Sequence, residues 1–224
     1  MTPTTEIELV TLDMAGTTVA DDGLVERAFA AALPGHTAAD LEYVRATMGE
    51  SKITVFRHLT GGDEDRARAA NRAFEDAYAR LVDDGLCAPL PGAEDTLRRL
   101  RAQGRTVALT TGFGRDTQER ILRALGWTGL ADLVLCPADT GGRGRPHPDM
   151  VLTAALRARV SSMAAVAVVG DTASDVRSGI NAGAGLVAGV LTGAHGADTL
   201  RAAGAAHVLP GVDGLPALLA PGEG

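Results

Sequence analysis

Short apolar runs rich in valine and leucine recur along the 224-residue chain, separated by segments with helical periodicity. Near-continuous apolar strands that alternate with helices are typical of a parallel sheet covered on both faces. The predicted strands are residues 7–12, 106–109, 133–136, 166–169, 186–191 and, more weakly, 207–209. The predicted helices of this alternation are residues 94–103, 115–125, 149–158 and 174–182. The pattern therefore predicts an α/β fold with a Rossmann-like parallel sheet flanked by helices.

One interval interrupts this alternation. Residues 20–88 contain no convincing strand, and helical patterns cover residues 24–33, 40–48, 52–59 and 65–82 instead. A crossover between two strands needs far fewer residues, so the interval predicts an inserted α-helical cap domain. The core domain would then be residues 1–19 together with 89–224. Residues 21–23 and 87–92, rich in aspartate, glycine and proline, are the predicted hinges.

Polar residues follow four of the predicted strands, at the edge where an open parallel sheet binds its ligands. They are Asp13 after the first strand, Thr110, Thr111 and Gly112 after the second, Arg145 after the third, and Asp171 and Asp175 after the fourth. Each residue alone has an ordinary structural interpretation as a helix cap, a turn residue or a surface ion pair. Together they predict a site for a cation and a phosphoryl group.

Three segments resemble the haloacid dehalogenase superfamily of aspartate-nucleophile enzymes, and the resemblance covers nearly the whole chain. Asp13-Met14-Ala15-Gly16-Thr17-Thr18 is similar to the first motif of phosphonoacetaldehyde hydrolases (phosphonatases) and phosphonatase-like hydrolases. Gly144-Arg145-Pro146 resembles their third motif, and Met48-Gly49-Glu50-Ser51-Lys52-Ile53 resembles the cap segment that carries an imine-forming lysine. The resemblance implies a magnesium-dependent hydrolase that cleaves the carbon–phosphorus bond of phosphonoacetaldehyde or a related phosphonate.

The resemblance also implies a role for each matching residue. Asp13 would be the nucleophile toward phosphorus, and Lys52 would form a Schiff base with the aldehyde. The residues implied in substrate or phosphate binding are Met48, Gly49, Thr110, Thr111, Gly112 and Arg145, and those implied in holding Mg²⁺ are Asp13, Ala15, Asp171 and Asp175. Most phosphatases of the superfamily carry an acid at position 15, which protonates an alcohol leaving group. In a phosphonate the leaving group is bonded to phosphorus through carbon. A protonated imine on Lys52 would accept the electrons of that bond instead.

Some positions depart from the phosphonatase pattern. Val55 stands where those enzymes carry a histidine, Phe113 where they carry a tyrosine, and Gly23 where a cysteine is expected. These positions surround the substrate, so they bear on its identity more than on the phosphoryl chemistry. Spacing assigns no role to His58 or His147.

Other functions stay open at this point. One is a phosphomonoesterase of the same superfamily, acting on a small phosphorylated metabolite without the usual acid. Another is a halide-displacing dehalogenase, which needs no magnesium and would leave Asp171 and Asp175 without a purpose. The last is a protein that binds a phosphorylated metabolite without turnover, which the nucleophile Asp13 disfavours.

Charge and composition exclude further classes. The chain has 21 basic and 28 acidic residues, a net charge of −7, which argues against a nucleic-acid-binding surface. Two cysteines make no disulfide scaffold, and no apolar stretch predicts a leader or a membrane span, so a cytoplasmic location is expected. Lys52 is the single lysine among the 21 basic residues. The long helix at residues 65–82 is a candidate surface for a homodimer.

Overall fold

The computed structural model describes residues 6–220, and its centre is a sheet of six parallel strands. The strands lie in the order β3-β2-β1-β4-β5-β6, which places the first strand of the chain near the middle of the sheet. Their bounds are β1 Leu9–Asp13, β2 Thr106–Thr110, β3 Leu133–Leu135, β4 Val166–Gly170, β5 Leu186–Val190 and β6 His207–Leu209. The predicted α/β architecture is confirmed.

Helices cover both faces of the sheet, and for this reason the central strands are mostly apolar. Leu9, Val10 and Leu12 of β1 are completely buried. The helices that follow the insert are α5 Ala93–Ala102, α6 Arg115–Ala124, α7 Asp149–Ala158, α8 Ala173–Ala182, α9 Ala197–Ala202 and α10 Leu215–Leu218. Sequence periodicity misses α9 and α10, because six and four residues hold too few turns to show a period. Within residues 6–220, no helix has the length and apolarity to cross a bilayer.

Four helices lie between β1 and α5, and we call them the helical insert. Their bounds are α1 Leu24–Ala32, α2 Ala38–Ala46, α3 Lys52–Leu59 and α4 Glu64–Asp83. Their shared core is aromatic: the Phe29 ring centroid lies 4.6 Å from that of Phe56 and 4.7 Å from that of Phe74. All four helices occur where the sequence predicts them. The division into a core of residues 1–19 and 89–224 and a cap of residues 20–88 stays a prediction.

The two linkers of the helical insert run side by side. The Ala20 N–H donates to the Ala88 carbonyl at 2.9 Å, and the Leu90 N–H donates to the Thr18 carbonyl at 3.0 Å. The chain thus enters and leaves the insert at one point of the core, just beyond the carboxyl end of β1. This arrangement places α1–α4 against the edge of the sheet that carries the predicted site residues.

Replacing Phe74 by alanine should destabilise the protein strongly. The side chain is fully buried, and four aromatic ring centroids lie within 6.2 Å of its own. We expect the free energy of unfolding to fall by about 3–5 kcal/mol, as is usual for Phe→Ala in a core. Urea denaturation followed by circular dichroism measures the change. Arg72→Ala on the exposed face of the same helix is the control, and an equal loss in both variants would contradict the assigned core.

Candidate active site

A cavity of about 320 Å³ lies between the carboxyl ends of the strands and the helical insert. The predicted site residues that line it are Asp13, Ala15, Met48, Gly49, Lys52, Thr111, Gly112, Arg145 and Asp171. Asp175 is buried beside Asp13 and Asp171, and Thr110 is buried outside the lining. The fold therefore gathers residues from five separate chain segments around one space.

Three carboxylates meet at the sheet side of this cavity. Asp13 ends β1, Asp171 directly follows β4, and Asp175 lies in the first turn of α8, with one oxygen of each within 4.8 Å of the others. None is more than 4% exposed. Burial, with added repulsion from Asp175 and Asp171, raises the pKa of Asp13 well above its usual range. Burial and the charge of Asp175 likewise raise the pKa of Asp171 to about 6.

The donor set of this cluster fits magnesium, which prefers carboxylate and carbonyl oxygens. The Thr17 hydroxyl holds Asp171 at 2.9 Å, and the Ala194 N–H holds its other oxygen at 2.8 Å. Two turns approach this carboxylate so closely that a side chain would collide: a Cβ at Gly16 would lie 2.5 Å from Oδ2, and a Cβ at Gly193 would overlap the same group. Both oxygens of Asp171 are thereby held in place beside Asp13 and Asp175.

Arg145 supplies the positive charge nearest to Asp13. Its Nη1 lies 2.6 Å from Asp13 Oδ1 and also contacts the carboxylate of Asp175. The other two guanidinium nitrogens, Nε and Nη2, are buried and have no hydrogen-bond partner among residues 6–220. Buried N–H groups without partners are unfavourable, and a guanidinium edge matches the spacing of phosphoryl oxygens. The unpaired nitrogens indicate a place for an anion beside Asp13.

The loop after β2 brings the helical insert against the core. The Lys52 N–H donates to the Gly112 carbonyl at 3.3 Å, and a Cβ at Gly112 would collide with the backbone of the insert. Thr111 lines the cavity, and its hydroxyl accepts the Phe113 N–H at 3.2 Å. The predicted contact of Thr110 with substrate stays a prediction.

Lys52 begins α3 and lines the cavity from the helical insert. The residue is 6% exposed, and its Nζ lies 5.2 Å from the centroid of the Phe113 ring. Within residues 6–220, no carboxylate oxygen lies within 4.0 Å of this amine nitrogen, so the amine forms no ion pair. Burial, and next the charge of Arg145, lower the pKa of Lys52. A lowered pKa leaves more of the amine neutral and nucleophilic.

The positions that depart from the phosphonatase pattern differ in their placement. Phe113 and Gly23 line the cavity, whereas Val55 is buried in the core of the helical insert. His58 stacks on a tyrosine at a centroid distance of 3.9 Å, and His147 bonds to an arginine at 3.0 Å. Neither histidine lines the cavity.

Sequence reasoning misses four acidic residues in or near the cavity: Asp22 and Glu26 line it as Asp21 does, and Glu75 lies outside the lining. Asp21 lines it from the first linker. Glu75 of α4 accepts the Gly114 N–H at 3.1 Å and the Thr117 hydroxyl, and so ties the insert to the start of α6. A search of the hinge segments for acidic residues would find Asp21. Glu75 gives no such signal, because it is one of several acidic residues on a highly charged helix.

The chain is similar to a known family and to known proteins. Residues 7–183 match the haloacid dehalogenase-like hydrolase family. A phosphonoacetaldehyde hydrolase-like protein of Syntrophobacter fumaroxidans is 30% identical over 82% of this chain and 72% of its own length. A probable phosphatase of Dickeya dadantii, IndB, is 32% identical over 87% of this chain and 86% of its own length.

Solved structures show the same fold. The crystal structure of a phosphonoacetaldehyde hydrolase-like protein from Oleispira antarctica superimposes with a TM-score of 0.83 and 24% identity, covering 96% of this chain and 92% of that one. The family match spans most of the chain, and the aspartate at the end of β1 lies in the segment that it covers. The chain therefore belongs to the haloacid dehalogenase-like hydrolase family and is an enzyme of that family.

Proposed function

We propose that this enzyme is a magnesium-dependent hydrolase that cleaves the carbon–phosphorus bond of phosphonoacetaldehyde or a related phosphonate. One observation carries the proposal: the only lysine of the chain, Lys52, is buried in the same cavity as Asp13, and position 15 holds alanine. The lysine provides an electron acceptor for a leaving group at carbon. The alanine provides no acid for a leaving group at oxygen.

Magnesium, held by Asp13, Asp171, Asp175 and the Ala15 carbonyl, would supply positive charge between the carboxylates and the phosphoryl group. The need for that charge follows from the residues themselves. With all three carboxylates ionised, Arg145 offsets one of three negative charges in a buried site. Carboxylates in such surroundings otherwise hold protons, as the raised pKa of Asp13 indicates.

Asp13 is the nucleophile in this proposal. A carboxylate oxygen of Asp13 forms a bond to phosphorus while the carbon–phosphorus bond breaks, which gives an aspartyl phosphate that water later hydrolyses. The unpaired Nε and Nη2 of Arg145 and the N–H of Gly112 would bind the phosphoryl oxygens, where charge is spread in the transition state.

Lys52 receives the electrons of the broken bond. Condensed with the aldehyde, its nitrogen forms a protonated imine, and the electron pair of the carbon–phosphorus bond moves into the adjacent carbon–carbon bond while the imine nitrogen becomes neutral. The product is an enamine rather than a bare carbanion. Proton uptake at carbon and hydrolysis of the imine then release the aldehyde without its phosphoryl group and the free lysine.

A second candidate is a phosphomonoesterase that acts on a small phosphorylated metabolite. The resemblance to the probable phosphatase of Dickeya dadantii favours it. Asp13, Arg145 and the carboxylate cluster would serve that reaction equally well, but Lys52 would have no chemical role. Ala15 would also leave an alkoxide leaving group without a proton donor.

Magnesium should stabilise the wild-type enzyme and have little effect on Asp171→Asn. A ligand at 100 times its Kd raises the free energy of unfolding by about 2.7 kcal/mol, and the variant lacks one of three carboxylates. Thermal midpoints with and without Mg²⁺ measure this difference. Asp198→Asn, on the exposed side of α9, is the matched control. Turnover of wild type in excess EDTA would contradict the magnesium role.

Borohydride added with phosphonoacetaldehyde should fix mass on the peptide that contains Lys52. Reduction converts the imine into a stable secondary amine, and no other side chain of the protein carries a primary amine. Mass spectrometry after digestion locates the label and separates it from any label on the N-terminal amine. Lys52→Arg should lose both the label and phosphate release.

Asp13→Asn is the matched control for this trapping experiment. The variant keeps the amine of Lys52 and should still trap the aldehyde, but it should release no phosphate because the nucleophile is gone. Labelling restricted to the N-terminus in wild type, or phosphonate cleavage by Lys52→Arg, would rule out the Schiff base.

Ala15→Asp should raise phosphomonoesterase activity without improving phosphonate cleavage. Position 15 lines the cavity two residues beyond Asp13, and a general acid there contributes typically about 10²–10⁴-fold for a poorly acidic alcohol. Assays with an alkyl phosphate, nitrophenyl phosphate and phosphonoacetaldehyde compare the three leaving groups. Nitrophenyl phosphate, whose leaving group needs no acid, is the internal control. Rapid alkyl phosphate hydrolysis by wild type would favour the phosphomonoesterase instead.

A further inference from the structure

The first linker places an acidic side chain in the cavity apart from the carboxylate cluster. Asp21 is half-buried and lines the same space as Lys52 and Asp13. Its Oδ1 accepts the Val25 N–H at 3.1 Å, which holds the carboxyl at the start of α1. Among residues 6–220, no basic side-chain nitrogen lies within 4.0 Å of its oxygens, so the carboxyl forms no ion pair. The carboxyl is therefore fixed in position without being neutralised.

Asp21 is the carboxyl best able to exchange protons at Lys52. The carboxylates of Asp13, Asp21 and Glu75 favour the charged form of this lysine most strongly. Glu50 also acts on the lysine but does not line the cavity. Asp13 is paired with Arg145 and belongs to the carboxylate cluster. Both oxygens of Glu75 accept hydrogen bonds at the start of α6. Asp21 alone among the three is committed neither to an arginine nor to a bond from each oxygen.

We propose that Asp21 is the acid–base catalyst for the formation and hydrolysis of the Lys52 imine. This assignment rests on the proposed function, because an acid–base group at Lys52 is needed only if the lysine forms an imine. It adds a residue that neither the motifs of the sequence nor the carboxylate cluster identifies.

Asp21 takes up one proton during imine formation and gives it back before the step ends. The Asp21 carboxylate takes a proton from the Lys52 ammonium, and the lone pair of the resulting amine forms a bond to the carbonyl carbon. One proton then moves from this nitrogen to the carbonyl oxygen, which gives a neutral carbinolamine. Asp21 returns its proton to the hydroxyl, which leaves as water while the nitrogen lone pair forms the carbon–nitrogen double bond. The protonated imine and the Asp21 carboxylate remain, and the reverse sequence hydrolyses the product imine.

The surroundings of Asp21 suit a group that gains and loses a proton. The titratable groups that interact electrostatically with it are Lys52 from α3, Glu26 from α1, Tyr78 from α4 and Cys87 from the second linker. Burial is the largest cause of the raised pKa of Asp21, and the charge of Lys52 opposes it. The Tyr78 hydroxyl is buried without a hydrogen-bond partner in the described chain. Acid–base catalysis is most efficient when the pKa lies close to the working pH.

The test measures how fast the imine forms in Asp21→Asn. An asparagine oxygen can still accept the Val25 N–H, so the start of α1 is preserved while proton transfer is lost. With phosphonoacetaldehyde and borohydride, we expect the rate constant for labelling Lys52 to fall about 100-fold or more. Added formate should restore part of the rate, because a small acid can enter the space and carry the proton. A purely structural role would give no rescue by formate.

Asp76→Asn, an exposed aspartate on α4, is the matched control and should label at the wild-type rate. Circular dichroism of each variant measures the folded fraction, by which the observed rate constant is divided before the variants are compared. Equal rate constants for wild type and Asp21→Asn, or a loss that formate does not rescue, would overturn the role of Asp21 alone. Absence of labelling in wild type would overturn the Lys52 proposal and the role of Asp21 with it.

Discussion

The repulsion among three buried carboxylates is the constraint on which the rest of this structure depends. Asp13, Asp171 and Asp175 come from two strand ends and a helix start, and no local segment could hold them together. The apolar sheet fixes the strand ends, and backbone and hydroxyl donors fix the individual oxygens. Hydrophobic burial elsewhere in the core offsets the unfavourable electrostatic energy that this cluster introduces. The site is thus stable as a fold and deficient in positive charge.

Most of the architecture can be predicted from the sequence because its signals are local. An apolar strand can be recognised from about five consecutive residues, and the carboxyl ends of parallel strands share one edge of the sheet. Asp13, Arg145 and Asp171 could therefore be assigned to one site from their positions after strands alone. Lys52 can be identified in another way, from its motif and because it is the only lysine. The structure places all four residues on one cavity.

The remaining parts of the site depend on packing that the sequence does not display. Asp21 reaches the cavity because two linkers lie side by side, and Glu75 meets α6 because α4 packs against it. The hinge position of Asp21 is the one local signal for that residue, and the local pattern of Glu75 does not differ from that of an exposed acid. Thr110 shows the converse case: it ends β2 at the expected edge of the sheet, yet it is buried outside the cavity lining. A position after a strand predicts the edge of the sheet and not the direction of a side chain.

The paired linkers have a consequence for how this chain can diversify. Because the insert enters and leaves the core through hydrogen-bonded neighbours, it interrupts the core as a short surface loop would. The helices α1–α4 carry Lys52 and their own aromatic core, while Asp13 and the residues around it belong to the sheet. The side of the cavity that the insert supplies is therefore encoded in one continuous stretch of the gene. Phe113, from the loop after β2, packs on Phe74 and Tyr78 of α4, so substitutions in that stretch must preserve this contact with the core.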